Sequence, residues 1–212
     1  RPLAQRGDGA LGRRRRGSQR ALIRVEPLAA TNVGALRALF EASHAPCFCR
    51  YWHFTGNKNE WLDRCAHRPE ENAAELEAAV LAGDPGARGL VALEGDRAVG
   101  WLKLTPRAAV PKLRSLPVYR SLDLGDEHTT YAIGCMLVDP SFRHRGVAHT
   151  LVAAAPAAAK SWGAVTVEAY PRRSPHALSD EEAWQGPEAV FLAEGFEAVQ
   201  GEPPYPVLRR ST

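Results

Sequence analysis

Residues 133 to 152, Ile-Gly-Cys-Met-Leu-Val-Asp-Pro-Ser-Phe-Arg-His-Arg-Gly-Val-Ala-His-Thr-Leu-Val, constrain this chain more than any other stretch. An apolar run of strand character stops at Asp139-Pro140, and helical spacing takes over at Gly146. A helix start leaves backbone N–H groups without intrahelical partners and carries a partial positive charge. Gly146 and Ala148 place no bulky side chain over those groups, and Arg143 and Arg145 stand beside them. The turn therefore reads as a phosphate cradle. A Walker loop would need Gly-Lys followed by Ser or Thr, and a dinucleotide fingerprint would need three spaced glycines. Neither is present.

The chain has 212 residues, 45% of them hydrophobic, which is enough for one sizeable core. No apolar run approaches the roughly 18 residues of a membrane span. The first 20 residues also lack the apolar block of a secretory signal. A cytoplasmic location with no membrane partner is expected. Cys47, Cys49, Cys65 and Cys135 are irregularly spaced and fit reduced thiols better than a disulfide framework. The net charge of +3 is uneven: residues 1 to 24 carry eight arginines and one aspartate, or +7, leaving residues 25 to 212 at −4. Arg13 to Arg16 offer contacts to nucleic acid or an acidic partner. A solvated basic arm over residues 1 to 20, too poor in apolar surface to order itself, is preferred to a nucleic-acid contact.

Residues 21 to 212 read as a single domain. Strand character over 21–26 is followed by the N-cap pair Thr31-Asn32 and by Val33, Leu36, Leu39 and Phe40 at helical spacing. Further helices are expected over 59–67 and 70–82, ended by Gly83-Asp84-Pro85-Gly86. Gly89 to Glu94 and Ala98 to Leu104 read as strands joined by a hairpin at Glu94-Gly95-Asp96-Arg97. Residues 105–127, with Pro106, Pro111 and Pro117, read as a long ordered loop with room for one helical turn. A strand over 130–138, a helix over 146–161 and a strand over 164–169 come next. A short helix over 187–194 and strands over 196–200 and 205–210 complete the chain. Strands interleaved with helices make a mixed α/β domain. Pro156 inside the alanine-rich helix is expected to kink it or to divide it.

Two motifs carry a family resemblance. Met136 to Pro140, followed by Arg143-x-x-Gly146-x-Ala148, fits the acetyl-CoA signature of the GNAT superfamily of N-acetyltransferases. Phe191-Leu-Ala-Glu-Gly195-Phe196 is similar to that family's helix-to-strand Gly-Phe ending. The resemblance implies a mixed, mostly antiparallel sheet of six or seven strands, flanked by helices, with a splay between the fourth and fifth strands. It implies acetyl-CoA as co-substrate, with pyrophosphate on the amides of Arg143, His144, Arg145, Gly146, Val147 and Ala148. His149 and Thr150 would line the next turn. The pantetheine arm would bond backbone groups of Met136 and Val138, and Phe191 would flank the distal part of the slot. The implied reaction moves an acetyl group to an amine of a small molecule or peptide by direct attack. Cys47-Phe-Cys49-x-Tyr51-Trp52, Pro111-Lys-Leu-Arg114 and Tyr170-Pro-Arg-Arg173 resemble one bacterial branch, which implies no particular acceptor.

Acetyl transfer to an amine needs a held thioester, a base for the amine and a means of releasing the thiolate. The resemblance places a general-acid tyrosine four residues before the Gly of Gly-Phe, and here Phe191 stands there. Water, Cys135 or Tyr170 would have to substitute, or the thiolate leaves unassisted. Glu168 is the first candidate base because its strand borders the slot, with a surface or structural carboxylate as the alternative. His128 and Tyr131 are further candidates.

Cys47, Cys49, Cys65 and His67 invite a zinc reading, but their spacing is unlike common knuckles and no metal is expected. Phe48, Tyr51, Trp52 and Trp61 read instead as an aromatic wall near the acceptor. Arg172, Arg173 and His176 are read as solvated rather than as contacts to an acidic acceptor, and the terminal strands offer an edge for a homodimer. A catalytically silent CoA-binding sensor or interaction module is the alternative function, favoured by Phe191.

Overall fold

A computed structural model of the protein describes residues 22–122, 126–176, 178–179 and 182–212. The basic arm over residues 1–20 lies outside the described residues. In chain order the elements are β1 (Ile23–Pro27), α1 (Val33–Ala42), α2 (Lys58–His67), α3 (Pro69–Leu81), β2 (Gly89–Glu94) and β3 (Arg97–Pro106). A short α4 (Pro111–Ser115), β4 (Thr130–Val138), α5 (Val147–Ser161), β5 (Thr166–Ala169), α6 (Glu188–Ala193), β6 (Glu197–Gln200) and β7 (Val207–Ser211) follow. Each expected helix and strand is present within a few residues. The stretch 105–127, expected as a loop with one helical turn, instead begins with the end of β3 and holds two, a 3-10 turn over Arg107–Ala109 and α4. Pro156 neither ends nor divides α5, which runs on through it with Pro156 buried.

Seven strands form one sheet in the order β1-β2-β3-β4-β5-β7-β6. Every neighbouring pair is antiparallel except β4 with β5. That parallel pairing covers only Thr130 to Ile133 against Thr166 to Ala169. Beyond Ile133 the two strands part, and the β4 edge from Gly134 to Val138 has no β5 partner. This is the expected splay.

The register with β3 also shifts, because Lys103 faces Cys135 whereas Leu104 faces Ile133. Gly134 is thus an extra residue, a bulge that re-aims the side chains after it. Tyr131 and Ile133 before the bulge, and Met136 after it, join the core beneath α5. Cys135 turns instead toward the core formed by α1 and α3. A third core gathers Trp52, Leu113, Tyr119 and Tyr170.

The helix α5 lies close on β3 because Gly100 leaves room for it. A Cβ there would stand 2.6 Å from Val147 Cγ1 and 3.0 Å from Leu151 Cδ1. Contacts that close do not occur between ordinary packed atoms, so Gly100 fixes where the first turn of α5 rests. That first turn is the one expected to cradle phosphate.

Candidate active site

The route from β4 to α5 is built by Asp139. Its carboxylate accepts from Ser141 N–H at 2.8 Å and from Ser141 Oγ–H at 2.6 Å, and it pairs with Arg97 at 2.5 Å. Burial opposes its ionisation, but the bonds from Ser141 and Arg97 outweigh that and hold the carboxyl below the usual carboxylate range. Arg97 and Arg145 stack on the Phe142 ring at 5.3 and 5.0 Å. His144 and Gly146 take the left-handed region, with φ of 57° and 85°. For a side chain other than glycine that conformation costs about 1–2 kcal/mol.

Gly146 is the N-cap of α5, and no side chain caps the helix. The first intrahelical bond runs from Thr150 N–H to the Gly146 carbonyl, which also accepts from the Thr150 hydroxyl at 3.1 Å. The N–H groups of Val147, Ala148 and His149 therefore have no acceptor within the helix. A Cβ on Gly146 would meet no atom within 4 Å, so the space beside the N-cap of α5 is open. His144 and Arg145 are exposed around it. The His149 ring meets the Glu194 carboxylate at 2.9 Å, which ties it to the end of α6.

The β4 edge is not open along its length. Met136 N–H donates to the Trp184 carbonyl at 2.8 Å, so that donor is engaged rather than free for a ligand or a developing oxyanion. Residues 182–186 thus lie as a strap across the splay. The Trp184 ring packs against Trp52 and Tyr51, with centroids 5.5 and 6.1 Å apart. Gly186 closes the strap on Phe191 and Met136. Phe191 is fully buried and meets Phe196 edge-on. Across the sheet, Trp52 Nε1–H donates to the Gly134 carbonyl at 2.9 Å and anchors the aromatic wall to the bulge.

The three candidate bases do not converge on this splay. Glu168 is fully buried, and both its oxygens are engaged. Oε1 accepts from Arg209 Nε and Nη2 at 3.0 and 2.6 Å, and Oε2 from Arg107 at 3.2 Å and from the Tyr170 hydroxyl at 2.6 Å. No lone pair is left facing an acceptor amine. Tyr131 accepts from Arg88 at 2.6 Å, donates to the Trp162 carbonyl at 3.2 Å and stacks on the Trp162 ring. At about 3.3 Å per residue it stands about 16 Å along the strand from Met136. His128 is exposed in the turn before β4, farther away still.

All four cysteines are free thiols, Cys49 and Cys135 buried and Cys47 and Cys65 partly so. Trp101 Nε1–H donates to Cys49 Sγ at 3.1 Å, and Asn72 Nδ2 lies 3.8 Å from Cys65 Sγ. Among the described residues no group of His, Cys, Asp and Glu is arranged to hold a metal ion. Its hydrogen bond with Cys49, and then burial, push the Cys135 thiol well above its usual range. Burial first, and then the neighbouring Glu168, do the same to the Tyr170 hydroxyl. Both substitutes considered for the missing tyrosine acid hold their protons tightly.

Two polar residues beside the wall were not expected. Lys103 is fully buried on β3, donates to the Gly86 carbonyl at 2.6 Å and is lowered to about 8 by burial. His53 is lowered to about 3, first by burial and then by the charges of Lys103 and Arg50. The only hint in sequence is a lysine inside the apolar run Val99 to Leu104. A folded His53 below its unfolded value binds no proton where the unfolded chain does, so stability falls as pH drops from about 6.5 toward 3. The slope is at most about 1.4 kcal/mol per pH unit, and partial solvent access reduces it. Urea titrations at pH 7 and pH 5 should show this loss, and His53→Phe should flatten it. An unchanged slope in the variant would assign the loss elsewhere.

Solved structures share this architecture. PaiA N-acetyltransferase from Thermoplasma acidophilum, in complex with coenzyme A, matches with a TM-score of 0.51 at 10% identity, over 90% of this chain and 99% of that one. An acetyltransferase from Thermus thermophilus matches at 0.50 and 19% identity, over 91% and 99%. The GNAT domain of S. lividans PAT matches at 0.50 and 16%, over 90% of each chain. At these identities the likeness concerns the fold. A search of curated proteins found no match. The sequence profile of the acetyltransferase (GNAT) family matches residues 49–178, which include the splay and the cradle, and the chain belongs to that family.

Proposed function

We propose that this chain moves an acetyl group from acetyl-CoA to an amine of a small molecule or peptide by direct attack. The uncapped, open first turn of α5 is the observation that carries this reading. It suits a pyrophosphate: three amides without helical acceptors, the positive end of α5, and exposed His144 and Arg145. Bound there, acetyl-CoA supplies the activated acetyl group. Val147, Ala148 and His149 would bind phosphate through their backbones, with Arg143 and Thr150 bordering the turn. Met136 and Val138 would offer the β4 edge to the pantetheine arm. Phe191 packs behind the strap and supports the slot without a proton to give. Glu168 is then a structural hub, and Tyr131 and His128 serve no proton transfer. The amine is deprotonated by solvent and the thiolate leaves without a side-chain acid. No helix of the described residues is long and apolar enough to cross a membrane.

The strap must yield for this to happen, because the Trp184 carbonyl already takes Met136 N–H. Aromatic pairs are worth about 0.5–1.5 kcal/mol each, and Trp184 makes two. Trp184→Ala is therefore expected to tighten CoA roughly fivefold to a hundredfold while leaving adenosine 3′,5′-bisphosphate, which lacks the arm, unchanged. Calorimetric titration of both ligands checks this. Weaker CoA binding by the variant would make Trp184 part of the donor site instead. The strap and Phe191 also favour a second reading, a CoA-binding module without catalysis. Thiol release from acetyl-CoA over an amine panel separates the two, since the silent module releases none above the buffer rate.

A further inference from the structure

Between the segment 52–56 and the segment 109–115 lies an open surface cleft of ≈ 570 Å³. Trp52, Phe54 and Pro111 give it apolar walls, and His53 and Lys112 add polar groups. Trp52 connects it to the reaction centre, since the same indole donates to the Gly134 carbonyl at the β4 bulge. The acceptor side of the splay and this cleft therefore share one wall.

Lys112 is distinguished by the aromatic rings that hold its ammonium. Lys112 has no carboxylate partner among the described residues. Its ammonium is nevertheless fixed, donating to the Phe54 carbonyl at 3.1 Å and standing 4.3 Å from the Tyr51 ring centroid and 5.7 Å from that of Phe54. Burial lowers its pKa with no opposing anion. An ammonium has three donors, and the Phe54 carbonyl uses one. A partly desolvated, immobilised cation with spare donors in an open, mostly apolar cleft suits a bound anion. One lysine matches a single negative charge better than a phosphate dianion.

We propose that the acceptor is an amine carrying a carboxylate on an apolar or aromatic body, with the carboxylate held by Lys112 and the body lying against Trp52 and Phe54. This rests on the acetyl-transfer reading above, and its test is separable from that reading.

Phenylacetate and its neutral isostere phenylacetamide are titrated into the full chain, following quenching of tryptophan fluorescence. Phenylacetate is expected to bind at least about tenfold more tightly. Lys112→Met should erase that preference, and Lys112→Arg should keep most of it. The rise in melting temperature with acetyl-CoA, recorded on the same samples, tests the donor reading independently and should persist in Lys112→Met. No saturable phenylacetate binding, equal binding of the two probes, or a preference that survives Lys112→Met each overturns the proposal.

Discussion

Gly146→Leu is expected to abolish the thermal stabilisation that acetyl-CoA gives the protein. A ligand at a hundred times its Kd stabilises the folded state by about 2.7 kcal/mol, which in a chain of this size raises the melting temperature by roughly 5–10 °C. Two effects of the leucine must be kept apart. Gly146 has a φ of 85°, so any side chain costs about 1–2 kcal/mol of backbone strain. The new side chain also meets no protein atom near its Cβ and occupies the space beside the N-cap of α5, where the pyrophosphate would lie. Gly163 supplies the control. It too is left-handed, at 94°, and open around its missing Cβ, but it follows the far end of the 15-residue helix. Gly163→Leu should lower the unliganded melting temperature by a similar few degrees and keep the full acetyl-CoA shift. A shift that survives Gly146→Leu would remove the donor from the α5 cradle.

The strand, turn and uncapped helix start of the candidate cradle were legible because they are local. A strand, an Asp-Pro stop, two small residues and a helical period all fall within twenty residues, and a helix start needs no distant partner to present its amides. The element order was legible for the same reason: the hairpin at Gly95, the helix after Asn32 and the Gly-Phe ending are written in neighbouring residues. The α4 turn was less clear, since three prolines in 105–127 break any period.

What the sequence hides is which remote groups meet. Alternation along β5 leaves Glu168 facing either slot or solvent. Only the fold brings Arg107 from the end of β3 and Arg209 from β7 onto its two oxygens. Tyr131 sits on the right strand but at the wrong end of it, because β4 opens from β5 only after Ile133. The strap is hidden in a segment without period. Its one strong bond joins Trp184 to a residue 48 positions earlier, Met136. Lys112 is hidden differently: nothing in its own proline-rich segment shows that Tyr51 and Phe54 face its ammonium.

Glu168→Gln should unsettle the fold far more than it slows acetyl transfer. The carboxylate and the Arg107 guanidinium are both fully buried, at 0% side-chain exposure. Breaking a buried ion pair costs about 3–5 kcal/mol, and Glu168 also anchors Arg209 and the Tyr170 hydroxyl, whose bonds to it would be weakened. Glutamine keeps the shape, but its amide nitrogen would point donors at Arg107 or Arg209. The melting temperature should fall by on the order of 10 °C. Below the transition, the turnover of the folded fraction should stay within a few fold of the parent, with an unchanged pH profile. A general base contributes roughly 10²–10⁴ in rate, so the two roles separate cleanly. A variant as stable as the parent but a thousandfold slower would return Glu168 to catalysis. Loss of stability with turnover retained makes it the residue that ties β5 to β7 and to the end of β3, holding rigid the strand from which β4 parts.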